Sequence, residues 1–160
     1  MNRGTDKCCG LVKQKGPGRQ STGIVYCMTQ KDTEELADFL RDRGIAADFY
    51  HAGQSKTDRT NVQTAWQRGA IKVVCATIAY GMGIDKPDVR YVVHLSIAKS
   101  LEGYYQEAGR AGRDGQRSDC ILFYRQYVAF CCSRRVLMLA VRLRSTACCD
   151  LKLAERTLQS

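Results

Sequence analysis

The chain has 160 residues, 44% hydrophobic and 26% charged, which is enough for one domain with a sizeable core and too few for two large ones. No apolar run is long enough to cross a bilayer and the first residues lack the apolar stretch of a secretion signal, so the expectation is a soluble, intracellular protein without a membrane partner. The net charge of +9 sits at the ends: residues 1–22 carry five bases and one acid, residues 127–160 six and two, and the segment between them fourteen and thirteen. Basicity therefore does not by itself make the central part a nucleic-acid surface, although basic flanks strengthen salt-sensitive binding to phosphates.

Residues 1–22 contain Gly4, Gly10, Gly16, Pro17 and Gly18 among scattered lysines with no apolar period, and read as a flexible basic linker. Ile24 to Met28 is the first expected strand. Thr29 then offers a hydroxyl cap to a helix carrying Leu36, Phe39 and Leu40 on one face, closed by Gly44. A short strand at Ala46 to Tyr50 is followed by Ser55, which can cap a helix with Val62, Ala65 and Trp66 on one stripe and a stop at Gly69. Strands follow at 71–76 and 89–95, a helix from about Ser100 to Glu107, and a strand at 119–124. Alternating strands and helices of this kind imply an α/β fold, a parallel sheet with helices on both faces. Residues 127–160 read as a separate segment, helical at least around Val136 to Leu143.

Nine cysteines include the adjacent pairs Cys8-Cys9, Cys131-Cys132 and Cys148-Cys149, with Cys27, Cys75 and Cys120 each inside an apolar, strand-like run. The last three read as small core residues. No C-x-x-C occurs, which weakens a zinc reading, and the odd count argues against a disulfide framework.

Gln106 to Gly115, Q-E-A-G-R-A-G-R-D-G, carries the clearest chemistry. Three glycines in seven positions disfavour a helix interior by about 1 kcal/mol each, so the segment reads as a tight helix end or loop. Glycine lets a backbone approach a bulky anion closely, while Arg110 and Arg113 present planar, permanently charged forks that match phosphate oxygens. Upstream, Ile71 to Ala76 is an apolar, β-branched run of the kind buried in a parallel sheet, and Thr77 falls at its carboxyl end, where ligands collect in open α/β sheets. His51 and His94 have neither a catalytic partner nor a metal-ligand pattern around them, and a structural or nucleic-acid-adjacent role is the default for both.

The ten-residue string at 106–115 resembles the sixth motif of the RecQ family of DNA helicases. Val73 to His94, V-V-C-A-T-I-A-Y-G-M-G-I-D-K-P-D-V-R-Y-V-V-H, resembles the family's fifth motif, and Gly23 to Cys27, G-I-V-Y-C, its fourth. The resemblance covers residues 23–126 and implies the second, RecA-like lobe of an ATP-dependent 3′-to-5′ DNA helicase of recombination and repair, nuclear in a eukaryote. It implies Arg113 as the finger on the transferred phosphate, Arg110 as its organiser, and Gly83, Asp85, Gln106 and Gly109 near the nucleotide. Thr77, Lys86 and His51 would lie along the DNA. In that family the phosphate loop and the metal-binding acids belong to the first lobe, and neither G-x-x-x-x-G-K-[ST] nor a strand-terminal aspartate-glutamate pair occurs in this chain. ATP and Mg2+ would thus be held mainly by the first lobe, the expected protein partner alongside single-stranded and forked DNA. This lobe alone is not expected to turn over.

After Tyr124 the resemblance frays. Cys131 and Cys148 have the sixteen-residue spacing of the family's first two zinc ligands, but the later two are missing, so residues 127–160 are expected to be a degenerate zinc-binding segment that holds no metal. An RNA-directed helicase of the same superfamily usually has histidine where Gln106 stands. The alternative of a different class is a non-catalytic DNA- or protein-binding module derived from a helicase lobe.

Overall fold

The structure, a computed structural model, describes residues 6, 8–10, 12, 21–77, 86–96, 98–127 and 136–145. Its elements in chain order are β1 (Thr22–Tyr26), α1 (Gln30–Arg41), β2 (Ala47–Tyr50), α2 (Lys56–Gln67), β3 (Val73–Ala76), β4 (Val89–His94), α3 (Leu101–Ala108), β5 (Ser118–Tyr127) and β6 (Val136–Ser145). They build one sheet in the order β2-β3-β1-β4-β5-β6, parallel from β2 to β5, with β6 antiparallel at the edge.

Each helix begins where its sequence supplies a cap. Thr29 Oγ1 accepts from the Asp32 amide at 3.1 Å while Asp32 accepts from the Thr29 amide at 3.1 Å, a reciprocal box at the start of α1. Ser55 Oγ accepts from the Asp58 amide at 3.1 Å and Ser100 Oγ from the Gly103 amide at 3.0 Å. Each such cap contributes roughly 1 kcal/mol by satisfying amides that the first helical turn leaves free.

The strands alternate their side chains between two cores, which is why they read as continuous apolar runs. On one face Val25, Cys27, Cys75 and Val93 pack with Leu36, Phe39 and Leu40 of α1; on the other Ile24, Tyr26, Val74 and Val92 pack with Val62 and Trp66 of α2 and with Tyr104 and Ala108 of α3. The α/β reading with helices on both faces holds. Gly23 marks the tightest point: a Cβ there would lie 2.0 Å from the ring of Tyr91, which is fully buried on the neighbouring strand.

Two regions differ from the sequence expectation. Cys8, Cys9 and Val12, inside the stretch read as a linker, have helical backbone and are buried among the α1-side core residues. Isolated apolar residues between glycines and lysines carry no period that would announce such burial. Residues 136–145, expected to be helical, form a strand paired with β5 from Ser118↔Ser145 to Tyr127↔Val136. A short apolar run fits either period, and the free edge of β5 satisfies its backbone as a strand. Cys131, Cys132, Cys148 and Cys149 lie outside the described residues.

Candidate nucleotide and nucleic-acid interface

Helix α3 runs back along β4 and ends at Gly109, whose amide donates to the Tyr105 carbonyl at 2.8 Å. The chain then turns along the start of β4: the Gly112 amide donates to Val89 O at 2.9 Å and the Asp114 amide to Pro87 O at 3.3 Å. Gly112 takes φ +65°, and a Cβ there would come within 2.6 Å of Ser118 Oγ and 2.7 Å of the Gln116 carbonyl, so the loop requires glycine on both counts. Arg90 fastens the far end, with Nη2 donating to Asp114 Oδ2 at 2.5 Å and to Pro87 O at 3.2 Å. Its guanidinium holds the Asp114 carboxyl below the ordinary carboxylate range.

The two arginines of this loop have different surroundings. Arg110 is buried and hydrogen-bonds the Tyr26 side chain at the end of β1. Burial pushes the Tyr26 phenol well up, and the Arg110 charge opposes that shift. Arg113 is exposed, its Nε donating to Gly109 O in a long 3.4 Å bond. Gln106 is exposed on the last turn of α3.

Beneath this loop lies a buried cluster. His94 Nε2 meets Glu107 Oε2 at 2.8 Å, with the two side chains 1% and 9% exposed. The Tyr26 ring stacks on the imidazole at 5.0 Å and Tyr104 tilts against it at 4.9 Å. A small cavity of about 80 Å³ opens beside the cluster, lined by Tyr26, Met28, Ser96 and Lys99 among others.

His51 and Thr77 follow directly on β2 and β3, whose last residues Tyr50 and Ala76 are register partners, so the two sit side by side at the carboxyl end of the sheet. The Thr77 amide donates to Tyr50 O at 3.3 Å. The His51 ring is buried, with Nε2 bonded to Glu34 at 2.9 Å and Nδ1 accepting from the Gly53 amide at 3.2 Å. Both ring nitrogens are occupied within the fold. Lys86 is buried too: its ammonium donates to Gln67 O at 3.2 Å, pairs with Asp88 at 3.0 Å and lies over the Trp66 ring at 5.6 Å. Its charge is engaged within the fold by these contacts. Gly83 and Asp85 lie outside the described residues.

The structure thus brings Gln106, Gly109, Arg110 and Arg113 together along α3 and its following loop, and sets His51 with Thr77 apart from them at the β2–β3 edge of the sheet. Tyr26, Arg90, His94 and Glu107 join the first group although the sequence reading assigns none of them a site role: all four lie inside the motif strings, and His94 carries only its default reading.

Residues 5–115 match the family model of the helicase conserved C-terminal domain. The chain belongs to that family. It is 50% identical over 119 residues to ATP-dependent DNA helicase Q1 of Rattus norvegicus, covering 74% of this chain and 19% of that protein. It is 52% identical over 118 residues to RecQ-like DNA helicase BLM of Xenopus laevis, covering 73% of this chain and 8% of that protein. The RecQ resemblance drawn from the motifs holds, and the chain spans less than a fifth of these curated relatives. Among solved structures, a DEAD box protein from Methanococcus jannaschii superposes with a TM-score of 0.67 at 32% identity, covering 76% of this chain and 32% of that one. Helicase Lhr of Mycobacterium smegmatis, solved bound to single-stranded DNA and AMP-PNP, superposes at 0.59 with 25% identity over 68% of this chain and 15% of its own. The fold is the RecA-like helicase C-terminal lobe.

Proposed function

We propose that this helicase C-terminal domain acts as the second motor lobe of a RecQ-type, ATP-dependent 3′-to-5′ DNA helicase. The single observation that carries the reading is the contrast within 109–115: one arginine buried against Tyr26, the other exposed on a loop tied down at Gly112 and Asp114. A buried, hydrogen-bonded guanidinium shapes a site; an exposed one on a fixed loop can meet an anion presented by another surface. Arg113 serves as the arginine finger and Arg110 as the organiser of its loop, with Gln106, Gly109, Gly83 and Asp85 on the nucleotide side.

A triphosphate fits this donor set, whereas among the described residues no group of three or more His, Cys, Asp or Glu side chains could hold a metal ion. ATP with Mg2+, held by a first lobe, would supply the phosphoryl group whose transfer drives movement. This chain's own part is to neutralise charge with Arg113, to fix that residue's approach through the loop anchors, and to grip one DNA strand at the β2–β3 edge of the sheet. In other NTPases such a finger is worth roughly 10³ to 10⁵ in turnover, about 4 to 7 kcal/mol of transition-state stabilisation. Thr77, beside the buried His51, is the gripping residue on the strand side. Lys86 serves this surface indirectly by fastening the start of β4 to α2.

The test is complementation. With the first lobe of a RecQ relative supplied in trans, the chain is expected to restore ATP hydrolysis stimulated by single-stranded DNA, and Arg113→Ala to abolish it while nucleotide binding stays nearly intact. Absence of stimulation with retained DNA binding would instead make the chain a non-catalytic binding module.

A further inference from the structure

His94 lies outside the glycine-arginine string, yet it touches that string's root by two routes. Its Nε2 is 2.8 Å from Glu107 Oε2, in the last turn of α3, and Glu107's own carbonyl accepts the Arg110 amide at 3.3 Å. Its ring is stacked at 5.0 Å on Tyr26, the side chain that hydrogen-bonds Arg110. Both branches converge on the residue that organises the Arg113 loop.

We propose that His94 is a positioning residue: by binding Glu107 and stacking on Tyr26 it holds the root of the 109–115 loop against β4, so that Arg113 is presented in one orientation. The inference deepens the finger reading above and rests on it.

The local chemistry favours a rigid device. The imidazole is 1% exposed, with Tyr26 on one side and Tyr104 on another, so it cannot rotate out of line with the carboxylate. A donor facing a carboxylate in a water-poor environment makes a short, directional bond, stronger than the same pair in water. Among the described residues, Nδ1 has no hydrogen-bond partner, so the ring's polar anchoring is through Nε2 alone. The second anchor of the loop, Arg90 on Asp114, lies near the start of the same strand. Both anchors of the loop thus stand on β4.

Three substitutions separate positioning from bulk stability. His94→Gln keeps a side-chain N–H donor near the place of Nε2; His94→Leu keeps comparable volume without a donor; Glu107→Gln keeps the shape without the charge. In the chain by itself, hydrogen–deuterium exchange is expected to rise in His94→Leu at amides 107–112 while the strands β1 and β3 keep their protection. A rise spread evenly over the sheet would overturn the proposal. With a RecQ first lobe in trans, His94→Leu should lower kcat roughly ten- to a hundredfold at near-constant KM for ATP, the scale of a displacement of about 1 Å in a catalytic group. His94→Gln should recover most of that loss and Glu107→Gln should fall between. Equal kcat in His94→Leu and His94→Gln, or parallel losses in kcat and in folded fraction, would also overturn it. Arg113→Ala measured alongside separates the two layers: turnover unchanged there removes the finger reading, while turnover lost there but retained in His94→Leu removes only the positioning role.

Discussion

Replacing Gly112 by alanine tests how tightly the arginine loop is built. The residue has φ +65°, a conformation that costs an L-residue about 1–2 kcal/mol. Its new Cβ would lie 2.6 Å from Ser118 Oγ, a residue 1% exposed, and 2.7 Å from the Gln116 backbone carbonyl, neither of which can withdraw freely. Overpacking of this kind costs about 1–3 kcal/mol, so the expected destabilisation is about 2–5 kcal/mol. Gly115 provides the internal comparison, because it has φ +76° but no heavy atom within 4 Å of an added Cβ, leaving about 1–2 kcal/mol of conformational cost alone. Urea unfolding followed by fluorescence of Trp66, the chain's one tryptophan and fully buried, reads both variants. Gly112→Ala should be less stable than Gly115→Ala by about 1–3 kcal/mol at unchanged m. Equal midpoints would refute the claim that the loop is seated against Ser118 and Gln116.

Gly23→Ala should be more damaging still, since its Cβ would lie 2.0 Å from the buried Tyr91 ring; loss of a cooperative thermal transition is expected, and a near-native one would mean that β1 and β4 can separate. Burial pushes the Cys8 thiol up to about 12 from 9.0, and Cys27 and Cys75 higher, so at pH 8 the Cys8 thiolate fraction is about a thousandfold below that of an ordinary thiol. Peptide-resolved alkylation should therefore leave these three unlabelled until urea unfolds the chain, and prompt labelling of Cys8 in the native protein would contradict its burial. Arg90 depresses the folded-state carboxyl of Asp114 below 3.8, so the pair stabilises above that pH and the benefit is lost as pH falls through the lower folded value. Carbon-detected NMR titration should show Asp114 protonating below 3.8, whereas a midpoint above it would break the Arg90 anchor. Thr77→Ala should weaken single-strand binding more than nucleotide binding in filter assays at two salt concentrations, and the reverse order would remove it from the strand grip.

Much of this architecture is legible in local patterns. Thr29, Ser55 and Ser100 stand one residue before α1, α2 and α3, and the apolar runs around Ile24, Val74 and Val92 are the buried centre of the parallel sheet. What escapes the sequence depends on partners far along the chain. His94 pairs with Glu107 and His51 with Glu34, 13 and 17 residues apart, and no spacing rule joins them. The motif resemblance offers Lys86 to DNA, and a charged residue in a loop is ordinarily exposed. In the fold its long apolar stem carries the ammonium across Trp66 to the end of α2, a burial that no local pattern announces. The strand at Val136–Ser145 is ambiguous for a different reason: its apolar run fits either period, and the open edge of β5 decides it.

The most direct measurement is a structure of this lobe assembled with a RecQ first lobe and a γ-phosphate transition-state analogue. The Arg113 fork is expected within hydrogen-bond reach of the analogue, with Arg110 still on Tyr26. An Arg113 side chain turned to solvent, with another group of the lobe meeting the phosphate, would contradict it.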